Sequence, residues 1–281
     1  MKAPGMLRMT NMIKAMGLAL LLVTQVFAAE ATPDAMRWKM MLDAAGVSAV
    51  LAQTDELINQ EVANLKKTPL GFTTAELQEL RQRLLQRLGH EQLQADVIAR
   101  VQAGLDPQQQ QSLQKLLLSP RTRFMQTLQA QLNDAVVREA MRTYKVQVKE
   151  NAPASHRVEL ITQLDDSLQQ TALETELKVE LRKQLLVMVT QLKTNETFSE
   201  SMLDEQLTAY RRDVEDAISR NALYAYLYLF KRTPTPQVEA IIASYNQPAY
   251  EQFMALCHDA VQASFRVARE QLLNDMRIAK Q

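Results

Sequence analysis

The chain has 281 residues, and its 32 basic and 32 acidic side chains sum to a formal charge of zero. That balance excludes the strong positive field on which nucleic-acid binding depends. Six glycines leave no phosphate-cradling loop, dinucleotide fingerprint or Gly-x-Ser-x-Gly elbow, and the abundance of Leu, Gln, Ala and Glu favours helix over strand.

The first segment reads as an export signal. Lys2, Arg8 and Lys14 precede an uncharged apolar run from Ala15 to Phe27, too short for a bilayer that takes about 20 residues to span. Val26-Phe27-Ala28 and Ala29-Glu30-Ala31 both offer the small-x-small pattern that signal peptidase cuts. Residues 1–29 are therefore expected to be a signal peptide, cleaved near Ala28 to Ala31, with the periplasm as destination. Secretion, or retention of an uncleaved amino-terminal anchor, is the alternative. Removing the leader takes three of the basic residues and none of the acidic ones, so the remainder is mildly acidic. Cys257 is the single thiol, so no intrachain disulfide forms, and no cysteine follows the leader to carry a lipid. No stable membrane anchor is expected after cleavage.

From Ala35 onward apolar residues recur at three- and four-residue intervals, the spacing of one helical face. Thr73 with Glu76 forms a capping box ahead of the stripe Leu77, Leu80, Leu84 and Leu88. Gly89 and Gly104 stand where helices end, and the left-handed conformation is expected at both. Asp106-Pro107 pairs an N-cap with proline at the first helical position, which places Gln108 to Gln111 in an exposed first turn. Lys149 to Ser155, with Pro153 among small and polar residues, reads as a linker. Beyond it Leu173, Leu177, Leu181, Leu185, Met188 and Leu192 mark what reads as the longest uninterrupted helix, and Thr235-Pro236 repeats the proline cap. Roughly nine or ten helices follow from this reading.

Tyr224, Tyr226, Tyr228 and Phe230 alternate like a strand, but Ala222, Leu223, Leu227 and Leu229 leave no polar face. A buried helix is the better reading. The four aromatics are candidate ligand- or partner-binding residues, since tyrosine combines contact area with a hydrogen-bonding tip.

A comparison across the linker predicts an internal duplication. Leu113, Leu116, Leu117, Ser119, Pro120, Phe124, Met125 and Leu128 trace a helix, a proline break and a second helix. Ile241, Ser244, Tyr245, Gln247, Pro248, Phe253, Met254 and Leu256 echo that order with a one-residue slip. The expected fold class is all-α: two tandem helical-hairpin or bundle units, residues 32–150 and 155–281, packed by ridges into grooves.

The stretch from Leu105 to Leu128, with its Asp-Pro opening, Leu-x-x-Leu-Leu-Leu-Ser-Pro core and following Phe, resembles the carboxy-terminal motif of a family of uncharacterised secreted bacterial all-helical domains. Leu117-Leu118 and Arg121 stand where that motif carries an aromatic pair and a glycine. The resemblance implies export and helicity and supplies no catalytic residue.

Chemistry is sparse. His90-Glu91 starts a zincin motif that Gln94 breaks, and no Glu-x-x-His precedes His90, His156 or His258. Cys257-His258-Asp259 are consecutive, so on a helix they face different directions and form no relay. Asp165-Asp166, and Asp213, Glu215 and Asp216 among Arg211, Arg212 and Arg220, read as a solvated, salt-bridged face. No catalytic residue, metal ligand or cofactor is assigned. The expected function is an interaction, scaffold or chaperone-like module acting on envelope proteins or peptides. One alternative is a carrier of a small apolar ligand between helices, suggested by fourteen methionines and the tyrosine cluster. The other is an enzyme whose site is assembled from distant residues.

Overall fold

The structure is a computed structural model that describes residues 33–193 and 199–278; the expected signal peptide, residues 1–29, lies outside them. Thirteen α-helices and one 3-10 turn occur among the described residues, and no strand. In chain order these are α1 (Pro33–Ala44), α2 (Val47–Leu51), α3 (Thr54–Leu65), α4 (Thr74–Leu88), α5 (His90–Gly104), α6 (Pro107–Leu117), α7 (Pro120–Ala130) and, after the 3-10 turn Gln131–Asn133, α8 (Ala135–Glu150). Then come α9 (Ser155–Leu168), α10 (Gln170–Lys193), α11 (Glu200–Leu229), α12 (Thr235–Tyr245) and α13 (Pro248–Ile278). The excess over the expected number comes from short elements, since the amino-terminal stretch breaks twice, around α2.

Local chemistry places several boundaries where expected. Thr73 and Glu76 bond reciprocally in a capping box, and Asp106 with Gln109 does the same ahead of Pro107. Other expectations are corrected. Gly89 and Gly104 do not supply left-handed residues: Gly89 has φ of −57°, and a side chain there would strike the Leu85 carbonyl. A side chain at Gly104, within α5, would strike Leu256 of α13, so that glycine serves helix contact. Among the described residues the left-handed positions are instead Gly46, Gly71 and Gln169, the last joining α9 to α10. Thr235 is no cap: Pro234 occupies that place and Thr235 is already helical, with no side-chain bond. Nor is α10 the longest helix, because its 24 residues are exceeded by 30 in α11 and 31 in α13.

Residues of both expected units enter one continuous core. Trp38, Leu84, Val97 and Leu113 pack in the same cluster as Leu177, Phe253 and Phe265. The long helices make this possible: α13 lies against α4, α5, α6 and α10, while α10 contacts α2, α3, α9 and α11 as well. Each fully buried Leu or Phe contributes roughly 1.5–3 kcal/mol of transfer free energy. The predicted stripe of α10 is buried from Leu173 to Met188, whereas Leu192 is exposed. Helix α8 differs from all of these, since none of its 16 residues is buried.

Candidate functional site

Between α2 and α11, with α10 as floor, lies an open cleft of about 680 Å³. Its floor follows Gln170, Thr171, Glu174 and Lys178, a face of α10 about 12 Å long at 1.5 Å per residue. Gly46, Ala49, Val50 and Gln53 form one wall. Val214, Ala217, Ile218, Asn221, Ala225 and Tyr226 form the other. One end is lined by Gln126, Gln129 and Asn133 around the 3-10 turn and by Arg138 and Met141 of α8.

The inner amides are fixed. Gln170 donates to the Ala45 carbonyl at 2.8 Å and Gln126 to the Ala44 carbonyl at 3.1 Å, so the carboxyl end of α1 is satisfied by side chains from two distant helices. Gln129 donates to Gln170 at 2.8 Å and lies 3.2 Å from the Tyr226 hydroxyl. Gly46 is required here, because any side chain on it would occupy the space of the Gln170 amide. Farther out, Gln53 and Asn133 have no side-chain partner among the described residues, and Asn221 accepts only from Lys145, at 3.4 Å. The cleft thus combines a rigid amide wall with outer amides whose donors and acceptors face water.

Of the four aromatics singled out in the sequence, Tyr226 alone lines this cleft. All four lie on or at the end of α11, and a helix distributes the alternating series over two faces. Tyr226 and Phe230 point inward and are buried, with their rings 6.5 Å apart. Tyr224 and Tyr228 face α8, where Lys145 lies 5.0 Å over the Tyr224 ring and Tyr144 meets Tyr228 edge-on at 5.6 Å. Burial pushes the Tyr226 hydroxyl well above its ordinary pKa, with the nearby Asp165 charge adding to the effect.

The remaining polar clusters are committed elsewhere. Asp165 and Asp166 do not share a solvated face: Asp166 is exposed, whereas Asp165 is buried behind the cleft and accepts from Thr171 at 2.8 Å. Where α10, α11 and α13 meet, Glu180 pairs with Arg269 at 3.1 Å and Glu176 with Arg211 at 3.0 Å. Cys257 is fully buried and its thiol is held protonated by desolvation, which makes it a small apolar side chain. Its neighbour His258 has its pKa lowered by burial, against the pull of Glu176 and Asp259. No group of His, Cys, Asp and Glu among the described residues could hold a metal ion. A second groove, between α5 and α13, is lined by Ala99, Ala103, Ala260 and Ala263 and is internally paired, with Arg100 on Asp259 and Arg87 on Asp275, each at 3.6 Å.

Sequence reasoning did not find the amide cleft. Glutamine is an ordinary residue on a solvated helix, and Gln53, Gln126, Gln129 and Gln170 converge only through tertiary packing. The nearest signal was Gly46, a glycine with no proline or turn companion. No known protein family, curated protein or solved structure matches the chain.

Proposed function

We propose that the chain is a binding module that holds an extended segment of another polypeptide in the cleft between α2 and α11. The observation that supports this reading most is the amide lining. Peptide main chain presents alternating donors and acceptors, and a carboxamide side chain answers both from one group. The floor length corresponds to about three to four residues of extended chain, at roughly 3.3 Å each. Ala49, Val50, Ala217 and Ile218 along the walls suit small or apolar side chains. A carrier of a purely apolar ligand fits less well, because the outer carboxamides of Gln53, Asn133 and Asn221 would be left facing it. In keeping with the amino-terminal export pattern, the setting we propose is the bacterial periplasm, with envelope proteins or their unfolded segments as clients.

The test is a display selection of random dodecapeptides on the purified protein. Enriched peptides should bind the parent chain and lose at least tenfold in affinity to Ala49→Arg and to Ala217→Arg, two exposed wall positions where a long side chain fills the cleft without disturbing the core. Met36→Arg, outside the cleft, should bind as the parent does. Selection that enriches nothing, or peptides indifferent to both wall variants, would refute the reading.

A further inference from the structure

We infer that the cleft selects a peptide bearing a carboxylate, which it receives on Arg138 at the α8 end; this rests on the peptide-binding reading above. The charges that line the cleft are matched except for one. Asp43 is paired with Lys39 at 3.0 Å, and Glu174 with Lys178 at 2.6 Å. Arg138 has no ion pair among the described residues. It donates to the Asn133 carbonyl at 2.9 Å, a contact that folds its guanidinium back over the 3-10 turn and leaves its other N–H groups free.

The helix that carries it reinforces the sign. Four basic residues stand against two acidic ones on α8, and Arg142 is already engaged with Glu139 at 2.8 Å. Lys145 lies on the same side of the helix as Arg138 and Met141, against Tyr224 and Asn221, with no carboxylate partner among the described residues. An Arg fork is matched to a carboxylate in shape as well as charge, since two parallel N–H groups meet two oxygens.

The charge must also be single. With Asp43 and Glu174 matched by Lys39 and Lys178, the lining keeps one unmatched positive charge, which a single carboxylate balances and a doubly charged phosphate exceeds. A carboxylate with neutral main chain leading away from it satisfies both features at once: the guanidinium takes the charge, and the amides of Gln53, Asn133 and Asn221 take the backbone. That carboxylate has two sources, the free carboxyl end of a chain or the side chain of Asp or Glu.

Three randomised pentapeptide mixtures separate the possibilities, each labelled at the amino end with tetramethylrhodamine and titrated by fluorescence anisotropy. One ends in a free carboxyl group and lacks Asp and Glu, one has the same composition with an amidated end, and the third is amidated with one central Glu. The expected result is that the free-acid mixture, the Glu mixture or both bind at least tenfold tighter than the neutral amide. Arg138→Gln should abolish that preference, and raised salt should weaken only the acidic mixtures. Tighter binding of the free-acid mixture alone assigns the chain terminus, and of the Glu mixture alone the side chain. Equal binding of all three mixtures, or a preference that survives Arg138→Gln, overturns the inference and leaves peptide binding standing. Failure of every mixture to bind removes both.

Discussion

Asp165 is a carboxylate held where water barely reaches it, 8% exposed in the last turn of α9. Burial pushes its pKa up to about 6, Asp166 and Glu174 add to the rise, and the hydrogen bond from Thr171 opposes it. Because the folded value lies above the unfolded one, the stabilising form is the protonated acid. Its contribution is complete below about pH 4 and is lost as pH rises through about 6. At neutral pH the ionised group costs the fold on the order of 2–3 kcal/mol. Asp165→Asn, which keeps an acceptor for Thr171, should therefore raise Tm by several degrees at pH 7.5 and leave it unchanged at pH 4, as followed by calorimetry. An equal shift at both values would show that the carboxylate is not the cause. Residues of this kind are where the sequence is least informative. The capping box of Thr73 with Glu76 and the N-cap Asp106 ahead of Pro107 are legible because the residues involved lie within one turn. Asp165-Asp166 looks like any solvated acidic pair until α9 has been docked, after which one member faces the core and the other water.

At the scale of elements, α8 stands apart from the rest of the fold. It is amphipathic, yet no residue on it is buried, and it leans on α11 chiefly through Tyr144 against Tyr228 and Lys145 over Tyr224. An edge-on aromatic pair of this type contributes about 0.5–1.5 kcal/mol beyond its area. Amides of α8 should accordingly exchange with deuterium faster than those of α10 or α13, whose inner faces are buried. Tyr144→Ala should accelerate exchange across residues 135–150 and leave α13 unchanged; protection in α8 equal to that in α13 would contradict this account. Since α8 supplies Arg138 and Met141 to the cleft, one end of the site rests on a helix with no buried residue. The break after α8 was legible in the sequence as the linker Lys149 to Ser155, although its ends prove helical; α8 itself carried no stripe that marked it out. Its light packing was not legible either, because periodicity reports an apolar face without reporting what covers it.

Over the whole molecule, a single core joins stretches on either side of the 151–154 turn. Phe253 and Phe265 of α13 pack among residues of α4 and α5, and Gln170 of α10 satisfies the end of α1. The helical class was legible from composition and from stripes such as Leu77 to Leu88. The shared core was not, because a helix sequence specifies its buried face but not which partner covers it. Unfolding should follow one cooperative transition in which tryptophan fluorescence, from Trp38 in the first half, and helicity coincide. Cleavage at an engineered protease site in 151–154 should leave the fragments co-eluting on a sizing column, whereas separation into two folded pieces would contradict a shared core.

Whether the amide cleft holds polypeptide is decided by hydrogen exchange of the parent protein with and without a selected peptide. Added protection should be confined to residues 46–53, 126–141, 170–178 and 214–226, the segments that line the cleft. Protection concentrated instead along the alanine-lined groove of α5 and α13, or no added protection at saturating peptide, would contradict peptide binding in the cleft.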